Sequence, residues 1–272
     1  MDRQKNDEIR GAVREKYGKV AESGRAGCGC SSTSCCGTPN DETAADISLG
    51  LGYSDEDVTA VPEGANMGLG CGNPHAIASL QPGETVLDLG SGGGFDCFLA
   101  ARAVGDKGYA IGVDMTPEMI SKSRRNAKKT GLENVDFRLG ELENLPVADG
   151  MVDVIISNCV INLSPEKERV FSEAFRVLKP GGRLAISDVV ATAELPDDLK
   201  KDIALHTGCI AGASSIQTLK SMLRRAGFEK IQIKPKTESR TFIRDWMPGS
   251  RIEDYVVSAT IEAVKPQARQ ER

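Results

Sequence analysis

Eight cysteines stand at positions 28, 30, 35, 36, 71, 97, 159 and 209 of the 272 residues, and three of them sit where chemistry is done. Cys159 lies in S-N-C-V-I-N-L-S (157–164), just after "VDVIIS", an apolar, β-branched run that reads as a buried strand. The exit of a central strand is where α/β proteins hold their ligands. Cys209 lies in the glycine-interrupted string "GCIAGA" and Cys71 in the glycine loop "EGANMGLGCG". If the three gather, they present sulfur to a soft, thiophilic centre. Three sulfurs form a trigonal pyramid suited to an ion with a stereochemical lone pair, and trivalent arsenic is such an ion.

A second constellation lies upstream. "VLDLGSGGGFDCFLAA" (86–101) ends a strand, turns through glycines and enters a helix, an arrangement that offers backbone N–H groups to a ligand. A dinucleotide fingerprint requires G-x-G-x-x-G, but counting from Gly90 gives Gly92 and then Phe95, so the spacing fails for NAD. What stands instead is D-x-G-x-G-x-G, formed by Asp88, Gly90, Gly92 and Gly94 around Ser91. Its acidic residue suits a cationic amino-acid tail better than a pyrophosphate. Asp114, at the tip of the next strand, is placed to accept hydrogen bonds from ribose hydroxyls, so a nucleoside cofactor is expected. The only histidines are His75 and His206, neither at the strand exit. They read as satisfied structural residues, and the site has thiols without a histidine base. Cys97, inside the helix after the glycine loop, reads as a small buried packing residue.

The elements that position these residues alternate: strand "TVLDLG", helix Phe95 to Val104, strand "GYAIGVD", helix Pro117 to Thr130, strands "VDFRLG" and "VDVIIS", helix "PEKERVFSEAFRVL", strand "GRLAISDVV". Such alternation makes a parallel sheet covered on both faces. Two late helices, "PDDLKKDIALHTG" and "SIQTLKSMLRRAG", and two final strands, "EKIQIKP" and "DYVVSATIEAV", follow; the pair suits an antiparallel hairpin at one sheet edge. Short helices are expected at "SDEDVTAVP", capped by Ser54, and at "NPHAIASL", capped by Asn73 with Pro74 in the first turn. Residues 4 to 22 space Ile9, Val13, Tyr17 and Val20 as a weakly amphipathic helix, followed over 23 to 40 by a Gly/Ser/Thr/Cys arm.

The assembled strings closely resemble the arsenite S-adenosylmethionine methyltransferases, class I S-adenosylmethionine-dependent enzymes. The similarity covers about residues 66 to 235 and rests on "GLGCGNP", "GETVLDLGSGGGFDCFLAA", "GVDMTPEM", "LGELENLPVADG", "DVIISNCVINLSP", "EAFRVLKPGGRLAISDVV" and "GCIAGA". "RVLKPGG" marks many methyltransferases; "SNCVINLS" with "GCIAGA" is specific. The resemblance implies a Rossmann-like α/β fold with a mostly parallel seven-stranded sheet, helices on both faces and the C-terminal hairpin. It implies that Cys159 and Cys209 hold arsenic through the cycle, and that Cys71 joins them for the inorganic substrate and in disulfide exchange. A fourth cysteine belongs near the N-terminus; Cys35 or Cys36 is the candidate, in an arm that also offers Cys28 and Cys30. For the cofactor, S-adenosylmethionine, it implies Gly70, then Asp88, Gly90, Ser91, Gly92 and Gly94, then Asp114 and Met115, Glu141 and Leu142 at the adenine, and Asn158. The implied partners are arsenite or arsenic–thiol conjugates, with thioredoxin or glutathione as reductant. No structural metal is implied.

The organisation expected is an N-terminal helix and cysteine-rich arm (1–45), a cofactor-binding Rossmann-like domain (46–190), and substrate-side helices with the final strands (191–272). A formal charge of −5 with dispersed basic residues argues against nucleic acid. The charged N-terminus and the absence of long apolar runs argue against export and membrane insertion, so a cytoplasmic protein with reduced thiols is expected. Two other readings are weighed. A quinone- or sterol-type C- or O-methyltransferase shares the scaffold, but its acceptor needs an apolar tunnel, and only 4% of residues are aromatic. A thiol-based metalloid-sequestering protein explains the cysteines and leaves the cofactor loop idle.

Overall fold

The computed structural model describes residues 3–23, 43–196, 206–247 and 249–268. Thiols 28, 30, 35 and 36 and most of the first late helix (197–205) fall outside the described residues. Helix α1 (Arg3–Ser23) is followed by three short helices, α2 (Ala44–Gly50), α3 (Asp55–Thr59) and α4 (His75–Ala78). The alternating part runs β1 (Thr85–Leu89), α5 (Phe95–Val104), β2 (Tyr109–Asp114), α6 (Pro117–Thr130), β3 (Val135–Leu139), β4 (Val152–Asn158), α7 (Lys167–Val177) and β5 (Leu178–Ala191). A two-residue strand β6 (Ser214–Ser215) leads into α8 (Ile216–Ala226), then β7 (Glu229–Lys236), α9 (Arg240–Trp246) and β8 (Val256–Val264).

The helix bounds of α5 and α6 match the sequence-based spans, because glycine stops at 94 and 105 and Pro117 with Gly131 punctuate them. Ser54 caps α3 in a reciprocal capping box with Asp57. Helix α4 begins one residue later than expected: Pro74 occupies the cap position, and the Asn73 side chain still accepts from Ala76 N at 3.3 Å. Helices α2 and α9 were not anticipated. Thr43 and Asp46 form a capping box for the first, while α9 is only seven residues long, too short for periodicity to declare it.

The sheet order is β3-β2-β1-β4-β5-β8-β7, with β6 added beside β5, so the expected seven strands are joined by a two-residue eighth. Strands β1 to β5 pair in parallel, and β8 lies antiparallel between β5 and β7, which makes the expected C-terminal pair. "KPGG" (179–182) bulges out where the β4–β5 register jumps from Val152↔Leu178 to Val154↔Arg183. One face of the sheet is covered by α7 and α8 through Phe171, Val170, Leu219 and Leu223, the other by α5 and α6 through Phe98, Val104 and Ile120. Chain order reverses between β1 and β4, so a crevice opens at their carboxyl ends. Over that crevice lies α1, its Val13 buried in a third apolar cluster that contains Cys71, Cys159 and Cys209. No helix among the described residues is long and apolar enough to cross a membrane.

Candidate active site

A cavity that opens to solvent occupies the crevice. Its floor is the glycine loop. Gly90, at φ +73°, sits where an added Cβ would lie 2.5 Å from Val160, so only glycine lets the loop pass under the β4 exit. Asp114 ties the loop to β2: its carboxylate accepts from Gly92 N at 3.0 Å and from Thr116 N at 2.9 Å. Helix α1 forms part of the wall with Val13 and Tyr17. It is fastened by Arg10, which donates to Glu143 at 3.3 Å and more closely to Glu166.

Acidic groups dominate the cavity's charge. Asp88, Asp96, Asp114 and Glu143 line it, and Arg10, the one basic lining residue among the described residues, is already engaged. Burial, then the negative charges of Asp96 and Asp114, hold the Asp88 carboxyl well above the ordinary carboxylate range; burial also raises Asp114 against its N–H donors. Such a site gains from a cationic ligand. Ser91, a lining residue, has its Oγ buried without a hydrogen-bond partner among the described residues. The donor set therefore fits a nucleoside carrying cationic sulfonium and ammonium groups, the S-adenosylmethionine that the motif implies.

The thiols meet at one side of this cavity. Cys159 follows β4 directly, its N–H continuing the ladder to Ser187 O at 2.8 Å, and then turns into the left-handed region at φ +59°. Cys209 is also left-handed, φ +65°, and its Sγ donates to Cys159 O at 2.8 Å. Left-handed backbone is rare for residues with a Cβ and clusters at functional sites. The two segments lock together because Gly212 has no side chain: a Cβ there would stand 2.1 Å from Asn162 O. His206 adds a contact to Leu163 O at 3.2 Å. Cys71 comes from the other side, flanked by glycines for a stated reason: a Cβ at Gly70 would meet Asn158 Nδ2 at 2.6 Å, and one at Gly72 would meet Ser187 at 3.0 Å. Its backbone is held at both ends, N–H to Asn158 Oδ1 (3.0 Å) and C=O from Ser258 Oγ (2.7 Å).

The sulfurs of Cys71 and Cys159 and a carboxylate oxygen of Asp188 all lie within 4.8 Å of one another. Cys71, Cys159 and Cys209 are buried, free thiols. Burial pushes the Cys71 thiol up, and hydrogen bonds with the Cys209 and Cys71 thiols, followed by burial, push Cys159 well up. The Cys71 and Cys159 thiols are thus protonated at neutral pH. Asp188 is raised to about 6 by burial, which outweighs its bonds from the N–H groups of Val189 and Ile161 and the charge of Lys167.

Of the sequence-predicted cofactor residues, Gly70, Asp88, Gly90, Ser91, Gly92, Asp114, Met115, Leu142 and Asn158 line the cavity. Gly94 lies behind it, at the α5 cap, where a Cβ would strike Phe98 and Phe137. Glu141 turns away to Arg14 at 3.2 Å, and the neighbouring Glu143 faces the cavity instead. Cys159 borders the cavity, with Cys71 and Cys209 packed beside it. Cys35 and Cys36 fall outside the described residues. Both histidines are structural, His75 contacting Asp96 O at 3.0 Å, and Cys97 is a fully buried packing residue. Sequence reasoning missed Tyr53, Asp96, Glu143, Arg10 and Asp188. Only Asp188, an acid inside the apolar strand "AISDVV", carried a local signal.

Known proteins place the chain in a family. A family model described as a methyltransferase domain matches residues 80–227. The arsenite methyltransferase of Halobacterium salinarum is 58% identical over 96% of this chain and 67% of its own length. That of Aquipseudomonas alcaligenes is 45% identical over 61% of this chain and 50% of its own length. This chain therefore spans about half to two thirds of those relatives. Among solved structures, the arsenic(III) S-adenosylmethionine methyltransferase of Chlamydomonas reinhardtii superposes with a TM-score of 0.62 at 32% identity, covering 83% of this chain and 75% of that one. With its class I methyltransferase fold and its extended similarity to these proteins, the chain belongs to the arsenite methyltransferase family.

Proposed function

We propose that this protein methylates trivalent arsenic, both arsenite and its methylated products, at the Cys71–Cys159–Cys209 cluster. The observation that carries the reading is the approach of the buried Cys71 and Cys159 sulfurs from distant segments, with the buried Cys209 thiol packed on Cys159, beside an acid-lined cavity. Asp88, Asp114 and Ser91, with the glycine loop, are the residues proposed to hold S-adenosylmethionine. When bound, that cofactor supplies an electrophilic methyl group on a sulfonium. Thiols suit loading by condensation: As(OH)₃ and three thiols give an As(S-Cys)₃ centre and three waters, with no net proton release. Exchange from arsenic–thiol conjugates serves equally, each outgoing thiol taking the incoming proton.

Bound through sulfur, arsenic keeps its lone pair, which is the nucleophile, so no general base is needed. Among the described residues neither His75 nor His206 lines the cavity, which supports this reading. Methylation leaves arsenic formally pentavalent. Two thiols return it to the trivalent state by giving up two electrons and joining as a disulfide, which thioredoxin or glutathione reopens in a reducing cytoplasm. Cys35 or Cys36 is the proposed fourth participant, and arsenic detoxification the proposed role. The test is to incubate the full chain with methyl-labelled cofactor, arsenite and a thiol reductant, and to separate labelled methylarsenicals. Cys159→Ser and Cys209→Ser are each expected to abolish transfer, and Cys71→Ser to abolish transfer to arsenite. Label transfer that survives all three substitutions, or arsenic binding without transfer, would overturn the reading.

A further inference from the structure

We propose that Tyr53, outside every sequence motif, is a positioning residue that sets the preference between arsenite and methylarsenite by fixing Cys71; the inference rests on the reading above. Tyr53 is 5% exposed, lines the cavity and packs its ring on Phe95 at 4.8 Å between centroids. Its hydroxyl donates to Asp96 Oδ1 at 2.7 Å and accepts from Asn158 Nδ2 at 3.0 Å.

Those two bonds impose a direction. A carboxylate only accepts, so the single phenolic proton is committed to Asp96, and the phenol oxygen is left as an acceptor. Asn158 must then present its NH₂ to Tyr53, and its carbonyl oxygen is turned to Cys71 N–H at 3.0 Å. The second amide proton goes to Gly72 O at 2.8 Å, so Asn158 clamps the backbone on both sides of the Cys71 side chain. Asp96 thus dictates, through Tyr53, how the amide faces the Cys71 loop. Gly70 is pressed against the same amide, so the loop cannot shift toward it.

Only one of the three sulfurs hangs on this relay. Cys159 is held by Ser187 O, and Cys209 by His206 O and Cys159 O; none of these bonds passes through Tyr53. The substrates differ in the same respect. Arsenite exchanges three hydroxyls for three sulfurs, releasing three waters, whereas methylarsenite carries carbon in one position, exchanges two and releases two waters. Loss of the Tyr53 hydroxyl therefore loosens the ligand that arsenite needs and methylarsenite does not.

The test uses the full chain with Tyr53→Phe, which keeps the ring and its packing. Initial rates are measured with arsenite and with methylarsenite as sole acceptors at saturating cofactor, with the cofactor KM determined for each protein. The ratio of kcat/KM for arsenite to that for methylarsenite is expected to fall about tenfold, and X-ray absorption of the arsenite-loaded variant is expected to show fewer than three sulfur neighbours. Asn158→Ala, which removes the last link of the relay, is expected to lower the same ratio and supplies the answer if the Phe variant does not fold. Equal losses on both substrates, or an unchanged ratio with three sulfur neighbours retained, would overturn the assignment. If the unmodified protein methylates neither substrate, the functional reading itself fails, and that outcome is distinct.

Discussion

Asp188 offers the sharpest test of the electrostatics beside the thiols. Its carboxylate accepts from Val189 N at 2.7 Å, Ile161 N at 2.9 Å and Asn162 Nδ2 at 2.9 Å, so it organises the turn that follows Cys159. Those donors and Lys167 favour the ionised form, but complete burial wins and raises the group from its ordinary 3.8 to about 6. Between these values the folded protein binds more protons than the unfolded chain, so stability from this group is full below about pH 3.8, falls as pH rises and is lost above about pH 6. At 1.36 kcal/mol per pH unit, the difference is worth about 3 kcal/mol. Asp188→Asn removes the titration while putting an amide N–H against Ile161 N–H, a mismatch costing about 1–3 kcal/mol at all pH values. The wild-type advantage over the variant should therefore shrink by about 2–3 kcal/mol between pH 4 and pH 7. Urea unfolding of both cofactor-free proteins under reducing conditions, followed by far-UV circular dichroism, measures it. A difference independent of pH, or one that grows toward pH 7, would mean that Lys167 and the N–H donors outweigh burial, and the reasoning would be wrong.

Three further outcomes follow from contacts at the site. Gly212→Ala drives a Cβ to 2.1 Å from Asn162 O; the two cysteine segments should separate, with stability down by about 1–3 kcal/mol and arsenite affinity reduced more than tenfold, while cofactor affinity measured by calorimetry changes less than twofold. Gly70→Ala places a methyl 2.6 Å from Asn158 Nδ2, so arsenite methylation should be lost with the far-UV dichroism spectrum preserved; normal turnover would show that the loop yields freely. Arg10→Ala releases α1 from Glu143 and Glu166, and the cofactor KM should rise several-fold, an effect that steady-state titration would contradict if KM stayed constant.

Much of the frame was legible because it is written locally. Strand β1, the glycine turn and α5 occupy one unbroken string, and Gly94, Gly105, Pro117 and Gly131 mark boundaries by conformations that few other residues tolerate. Cys159 was visible because a long apolar strand stops at it. What stayed hidden depends on approach between segments distant in sequence. Tyr53 lies 105 residues from Asn158 and 43 from Asp96, in a stretch with no periodicity of its own. Glu141 and Glu143 are chemically alike and two residues apart; the isolated bridge between Glu141 and Asn144 and the pull of Arg14 decide which carboxylate meets the cavity. The role of "GCG" around Cys71 became intelligible only when Asn158 and Ser187 were seen pressing on its two glycines.

The left-handed backbone at both Cys159 and Cys209 bears on how the cluster works. Each such residue costs about 1–2 kcal/mol relative to ordinary conformations, and neither is a glycine that would avoid the cost. The frame offsets it with bonds that exist before any substrate arrives: Cys159 N to Ser187 O, Cys209 N to His206 O, and Cys209 Sγ to Cys159 O. The ordering of the chain segments that bring the sulfurs together is thus completed during folding, and an incoming arsenic atom does not have to supply it. Because the thiols of Cys71 and Cys159 are also protonated at rest, the empty cluster avoids confining like charges beside Asp188. On the proposed function, arsenic exchanges hydroxyl or thiol ligands for sulfur without adding net charge to a buried site, whereas a divalent cation would have to expel thiol protons to bind there. By the same reasoning, a pocket proposed to take a neutral metalloid hydroxide disfavours the common metal ions that thiols would otherwise collect.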